Sequence, residues 1–182
     1  MLLDTPICDF GWAAPDFTLK DPDSVSVTMS EALGENGLLV AFICNHCPYV
    51  KAIAQRLAAD AAELMNEGIG VLAVMSNDYR DYPSDSPEQM RRFASDHGLG
   101  FPYLVDEDQS VGRAWGAVCT PDFFGLNAQG QLQYRGRLDD AAMGDASHRT
   151  RELVDAMRMI AATGEGPREQ TASMGCSIKW SR

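Results

Sequence analysis

The sequence predicts an α/β protein, a central mixed β-sheet flanked by helices, and three observations carry the prediction. Leu38 to Ile43 (LLVAFI) and Ile69 to Met75 (IGVLAVM) are continuous apolar runs of the kind that form strands buried on both faces. Between them Val50, Ile53, Ala54, Leu57, Ala58, Ala61, Leu64 and Met65 recur at three and four, with Lys51, Arg56, Asp60, Glu63 and Glu67 assigned to the other side. Strand, helix and strand in that order imply parallel pairing through a right-handed crossover.

The remaining elements follow along the chain. Phe17 to Leu19 and Val25 to Met29 read as short strands around the turn-rich DPDS, an N-terminal β-hairpin extension, and Ser30 is expected to cap a brief helical turn before Gly34. The central amphipathic helix ends at Gly68. Ser86-Pro87-Glu88-Gln89 is a capping box with proline at the first helical position, opening a helix that runs to about His97. Tyr103 to Val105 form a strand and Ser110 to Ala117 a helix. Phe123 to Leu126 and Gln131 to Arg137 flank Asn-Ala-Gln-Gly as an antiparallel hairpin, and a last helix runs from about His148 to Ala162. A polar tail over 165–182 follows. No repeat or linker divides the chain, so one domain over 1–182 is expected.

Composition excludes some partners. A net charge of -11 on 182 residues opposes binding to phosphate backbones or anionic lipid, so neither nucleic acid nor a membrane surface is expected as a partner. The N-terminus MLLDTPICDFGWAAPDF lacks a basic region, and Asp4 and Asp9 interrupt its short apolar runs. A cytoplasmic protein is expected. Five unevenly spaced cysteines (Cys8, Cys44, Cys47, Cys119, Cys176) do not make a secreted disulfide framework, and any disulfide among them is expected to be transient and catalytic.

The chemistry is concentrated in CNHCPYVK, Cys44 to Lys51. Cysteines at i and i+3 around a helix start lie within bridging distance, and the first turn's free N–H groups and helix dipole favour thiolate there. His46, as imidazolium, is expected to lower the thiol pKa and make the disulfide more oxidising. The bland readings are two inert buried cysteines or a structural zinc site. Zinc would need a second ligand pair, which Cys119, Cys176, His97 and His148 do not supply by spacing. Pro48 leaves the helix start open: proline at the first helical position puts Cys47 at the N-cap, whereas a start at Cys44 places proline inside the first turn, where it is tolerated.

The order of elements, the C-x-x-C and Thr120-Pro121 resemble the thioredoxin fold, and Ala14-Pro15-Asp16-Phe17-Thr18-Leu19 resembles the entry motif of its AhpC/TSA and TlpA-like branch. CNHCPYVK, YRGRLDD (Tyr134 to Asp140) and SMGCSIKW are similar to motifs of the bacterial peroxiredoxin-like thioredoxin proteins. The resemblance implies that Cys44 is the exposed attacking sulfur and Cys47 the buried resolving one. His46 resembles the histidine of oxidising members. Thr120 and Pro121 resemble the cis-proline loop, where the residue before proline pairs with a bound substrate chain. Two positions depart from the pattern: Ile43 stands where thioredoxins carry tryptophan, and Cys44 stands where peroxiredoxins carry the threonine that holds the peroxide. The guanidinium used by those enzymes could come from Arg113, Arg135 or Arg137.

The implied function is thiol–disulfide oxidoreduction without an organic cofactor, acting on protein or small-molecule thiols and disulfides and recycled by a thioredoxin- or glutathione-type reductant. One alternative is a peroxiredoxin-like thiol peroxidase acting on peroxide. Another is a Sco-like module in which Cys44, Cys47 and a histidine hold copper. Cys176 can resolve a sulfenic acid or mixed disulfide if the tail is mobile, or lie in a fixed strap. Cys119 is a third redox partner or, more simply, a small buried hydrophobe. Cys8 is expected to be inert, Trp12 and Trp115 to be core or rim aromatics, and Asp139 and Asp140 to relay protons or, more simply, to cap a turn.

Overall fold

The apolar runs do not alternate with polar residues because both faces of the sheet are covered. The computed structural model describes residues 1–182. In β4 (Leu38–Phe42), Leu39 and Ala41, continued by Ile43, face one core, while Leu38, Val40 and Phe42 face another. β5 (Gly70–Met75) divides in the same way. The two pair in parallel from Leu38 opposite Gly70 to Phe42 opposite Val74, as the strand, helix, strand order predicts.

Between them runs α2 (Pro48–Asn66), which stops where Gly68 turns to φ 79°, a region that favours glycine. Its apolar face packs with α3 (Pro87–His97) and α5 (Glu152–Thr163) over one side of the sheet. α3 begins as the capping box predicts, with Ser86 Oγ accepting the Gln89 N–H at 3.4 Å. The other side is closed by α1 (Met29–Ala32), α4 (Ser110–Trp115) and an aromatic group in which Phe42 and Phe124 pack around Trp115.

With β2 (Thr18–Lys20), β3 (Ser26–Thr28), β6 (Tyr103–Val105), β8 (Asp122–Leu126) and β9 (Leu132–Tyr134), the seven-stranded sheet has the order β3-β2-β6-β5-β4-β8-β9. β6 is parallel to β5, while β2, β8 and β9 run antiparallel to their neighbours. This is the thioredoxin fold, with the Thr120-Pro121 bond cis as the resemblance implies. No helix is long and apolar enough to cross a membrane.

Several expectations need correction. The brief N-terminal helix is preceded by Thr28, not capped by Ser30, whose own N–H and hydroxyl donate to Asp16 at 2.9 and 2.7 Å. Asp60 is 1% exposed rather than solvated, because Arg149 and Arg151 reach it from the loop before α5. That loop also delays α5 to Glu152, four residues after the expected start. Asp139 caps its turn as expected, accepting the Ala141 and Ala142 N–H groups at 3.1 and 3.3 Å, but it is buried rather than solvated because Arg56 and Arg149 pair with it.

The tail holds a strand that the sequence did not predict, β10 (Met174–Ser177), and the N-terminus holds β1 (Leu2–Asp4). With β7 (Cys119–Thr120) they form a second sheet in the order β1-β10-β7. Beyond it Lys179 accepts the Asp78 N–H at 2.8 Å and donates its own N–H to Asn77 Oδ1 at 2.8 Å. The tail is therefore a fixed strap, the second of the two readings given for it.

Candidate active site

Pro48 is the first residue of α2 and Cys47 is its N-cap, with an extended backbone at φ -70° and ψ 123°. The helix does not begin at Cys44. Proline has no N–H to lose at the first helical position, so the local rule decides the start and leaves the Cys47 sulfur at the positive end of the dipole.

The two residues before the N-cap are held by one carboxylate. Asp85 Oδ1 accepts the N–H of Asn45 at 2.8 Å and of His46 at 3.3 Å, and its Oδ2 accepts Asn77 Nδ2 at 3.0 Å and His46 Nδ1 at 2.5 Å. Asn45 donates through Nδ2 to the Ser84 carbonyl at 3.1 Å and accepts the Tyr103 hydroxyl at 2.9 Å. Asp85 is fully buried and stands just before the Ser86 cap, so the start of α3 aims it at the C-x-x-C loop. Sequence reasoning missed Asp85, Asn77 and Tyr103. The available signal was an acid immediately before a helix cap, in the connection that leaves the C-terminal end of β5 beside that of β4.

Thr120 faces both sulfurs. Its hydroxyl lies 3.4 Å from Cys44 Sγ and its carbonyl oxygen 3.2 Å from Cys47 Sγ. Cys44 is 1% exposed and Cys47 0%, so the expectation of an exposed Cys44 is not met. The Thr120 hydroxyl and the Asp85 carboxylate lie beside it.

The two thiols differ in acidity. Cys47 is pulled below the ordinary thiol range, first by the Cys44 thiol acting as donor, against the opposing effect of burial, and further by the Cys176 N–H, the Thr120 hydroxyl and the Cys176 thiol. Cys44 is pushed up because it is the donor in that pair, because it is buried, and because the Asp85 charge faces it. Against these, the Cys47 thiol donates to the Thr120 carbonyl at 3.2 Å, a contact that favours its protonated form.

The other cysteines fall into two kinds. Burial pushes Cys8 up to about 11 and Cys119 up to about 12. Cys119 is fully buried with its sulfur 3.6 Å from the Pro121 carbonyl, a small hydrophobe's position. Cys176 is only partly buried and stands directly opposite Thr120 in the β10–β7 pairing.

None of the three arginines is free to serve the sulfurs. Arg113 stacks on Trp180 at 4.5 Å, Arg135 pairs with buried Asp122 at 2.9 Å, and Arg137 pairs with Glu152 at 2.7 Å. Ligand atoms of Cys44, His46 and Asp85 lie within 4.8 Å of one another and could surround a cation. Both Asp85 oxygens, however, are already accepting from the loop, and an ion would have to displace those bonds. Beside Pro121 lies a cavity of 240 Å³ lined by Tyr49, Ile53, Phe123, Met143 and Met174 among others.

A family model described as AhpC/TSA matches residues 10–135. The crystal structure of an uncharacterized conserved protein from Geobacillus kaustophilus superposes with a TM-score of 0.92, covering 100% of this chain and 97% of its own at 37% identity. Peroxiredoxin Bcp of Escherichia coli is 29% identical over 120 residues, 66% of this chain and 72% of that one. The thiol-disulfide oxidoreductase ResA of Halalkalibacterium halodurans is 25% identical over 130 residues, 71% of this chain and 69% of that one.

Proposed function

The chain belongs to the AhpC/TSA family, and from that premise we propose that it is a thiol–disulfide oxidoreductase whose redox couple is Cys44 and Cys47, with Cys47 making the attack. The observation that carries this reading is the placement of both sulfurs against Thr120, with Cys47 at the N-cap of α2. Relatives named as thiol-disulfide oxidoreductase and peroxiredoxin support the same chemistry.

In the reaction proposed, Cys47 thiolate attacks one sulfur of a substrate disulfide, the substrate's other sulfur leaves with the electron pair, and a mixed disulfide to Cys47 remains. Cys44, giving up its proton, then attacks the Cys47 sulfur, closes the Cys44–Cys47 bridge and releases the second substrate thiolate. This reverses the roles that the resemblance implies. Pro48 and the donors around Cys47 support the reversal, and so does Asp85, whose charge opposes a thiolate on Cys44. His46 acts mainly through Asp85, its hydrogen-bond partner.

Thr120 and Pro121 are proposed as the wall on which substrate sulfur is placed. The reductant proposed is of the thioredoxin or glutathione type, and the cytoplasm is the compartment that odd, unevenly spaced cysteines favour. Pairing of β1 with β10 supports one domain over 1–182.

A second reading, reduction of small hydroperoxides, is favoured by the closed site, since the β7 backbone that would pair with an extended substrate is already paired with β10. One experiment separates roles and substrates. Cys44→Ser/Cys176→Ser, which removes both sulfurs that could release the substrate, should accumulate mixed disulfides through Cys47 when offered a disulfide substrate, and Cys47→Ser/Cys176→Ser should trap little. Trapping through Cys44 alone would restore the opposite assignment. Rapid saturable consumption of hydrogen peroxide with dithiothreitol would put the peroxidase reading first.

A further inference from the structure

The C-terminal strap brings a third sulfur to the site. Cys176 is the Cα partner of Thr120, and Thr120 is the residue that faces both Cys44 and Cys47. The approach depends on Gly175, where a Cβ would lie 1.9 Å from the Thr120 carbonyl oxygen, so only glycine lets β10 come this close. Cys176 also packs against the core that contains Cys44 and Cys47, yet it keeps part of its surface in solvent, which neither of them does. Cys119, its neighbour across the same strand pair, is turned to the Pro121 carbonyl and fully buried.

We propose that Cys176 is a second disulfide partner of Cys47 and the sulfur through which reducing equivalents enter the site. The proposal rests on the reading of Cys44 and Cys47 as a thiol redox couple. Starting from the oxidised couple, Cys176 loses its proton and attacks the Cys47 sulfur. The Cys44–Cys47 bond breaks, the Cys47–Cys176 bond forms, and Cys44 leaves with the electron pair and takes up a proton. This step is an exchange with no net oxidation. A dithiol reductant then attacks the Cys176 sulfur through one thiolate, and Cys47 leaves as thiolate. The reductant's second thiol closes its own disulfide and frees Cys176. Two electrons pass from the dithiol to the couple.

Two features of the site fit this route. The departing sulfur in the second step is Cys47, whose acidity makes it a good leaving group. Of the three cysteines only Cys176 keeps part of its surface in solvent, Cys44 and Cys47 being 1% and 0% exposed, so a dithiol meets Cys176 first. Burial and the neighbouring Cys47 sulfur hold the Cys176 thiol above its ordinary value, against the smaller opposing pull of the Lys179 ammonium and the N-terminal charge.

The test uses the whole chain. Reduced Cys44→Ser protein is treated in its native state with one equivalent of diamide, quenched with N-ethylmaleimide and mapped by mass spectrometry. A dominant Cys47–Cys176 cross-link is expected. Recovery of Cys47 and Cys176 both alkylated, or of Cys47 joined to Cys8 or Cys119, would overturn the proposal. Next, Cys176→Ser and Cys176→Ala are oxidised to the Cys44–Cys47 disulfide and reduced with excess dithiothreitol. Both should be reduced more slowly than wild type by about tenfold or more, whereas wild-type rates would remove Cys176 from the path. Wild-type protein that forms Cys44–Cys47 while no variant forms Cys47–Cys176 refutes only the role of Cys176. Protein that forms neither bridge refutes the thiol-redox reading itself, and this proposal with it.

Discussion

Asp85 shows how much of the site's electrostatics is set by a residue 39 positions away from the loop it holds. Its carboxylate fixes the Asn45 and His46 amides, takes the His46 imidazole and stands close enough to Cys44 to oppose its ionisation. The partnership turns the His46 ring nitrogen to Asp85, a partner that the CNHC spacing alone does not reveal. Asp85→Asn keeps the shape and removes the charge. Cys44 should then ionise more readily, which stabilises the dithiol form and makes the couple more oxidising, by something on the order of 20 mV. Equilibration of the Cys44–Cys47 couple against glutathione measures it, and an unchanged or more reducing potential would sink the account. The C-x-x-C and Thr120-Pro121 were legible because each is a local pattern. Asp85 was not, since only the return of the chain to the same end of the sheet brings it under the loop.

At the level of elements, legibility followed the source of the signal. β4, β5 and α2 announce themselves because burial on two faces or one imposes a periodicity on many consecutive residues. The strands β1 and β10 have three and four residues, too few for any period to emerge, and their pairing joins the two ends of the chain. A short polar segment containing glycine reads as tail until its partner is known. The helix start was open in the sequence and Pro48 resolved it. Within β10 the decisive residue is Gly175. In Gly175→Ala the new methyl would meet the Thr120 carbonyl oxygen at 1.9 Å and its carbon at 2.5 Å, both backbone atoms that cannot swing aside. The strap must then separate from β7, with an expected loss of about 1–3 kcal/mol in urea unfolding. Cys47, losing the Cys176 donors, should also become less acidic and more exposed. Unchanged stability together with an unchanged thiolate titration, followed by absorbance at 240 nm, would mean that β10 is not seated as described.

Over the whole molecule, a net charge of -11 makes the placement of its few cations consequential. Four arginines gather on one seam: Arg56 and Arg149 on Asp139, Arg149 and Arg151 on Asp60, and Arg151 and Arg158 on Glu63, with Arg158 also on Glu67. They tie α5 and the loop before it to α2, the helix that carries Cys47. Burial alone would raise the pKa of Asp139, but the Arg56 hydrogen bond and charge, the Ala141 N–H and the Arg149 charge outweigh it and hold the carboxyl below its usual value. A carboxylate lowered in the folded state adds stability above its unfolded pKa, roughly 3.9, and loses it as pH falls through the folded value. Self-repulsion acts in the opposite sense, easing as pH drops from neutral and acidic groups begin to protonate. Stability should therefore be greatest at about pH 5 to 6 and fall steeply below about 4. Asp139→Asn should be less stable at neutral pH and should flatten the acid limb, because the group whose protonation steepens it is gone. Asp60→Asn leaves Arg149 and Arg151 facing a neutral amide in a site 1% exposed, and about 3 kcal/mol should be lost at pH 7. Urea unfolding at pH 7, 5 and 3.5 reads both variants. An acid limb as steep in Asp139→Asn as in the parent would place the acid sensitivity elsewhere than in this seam.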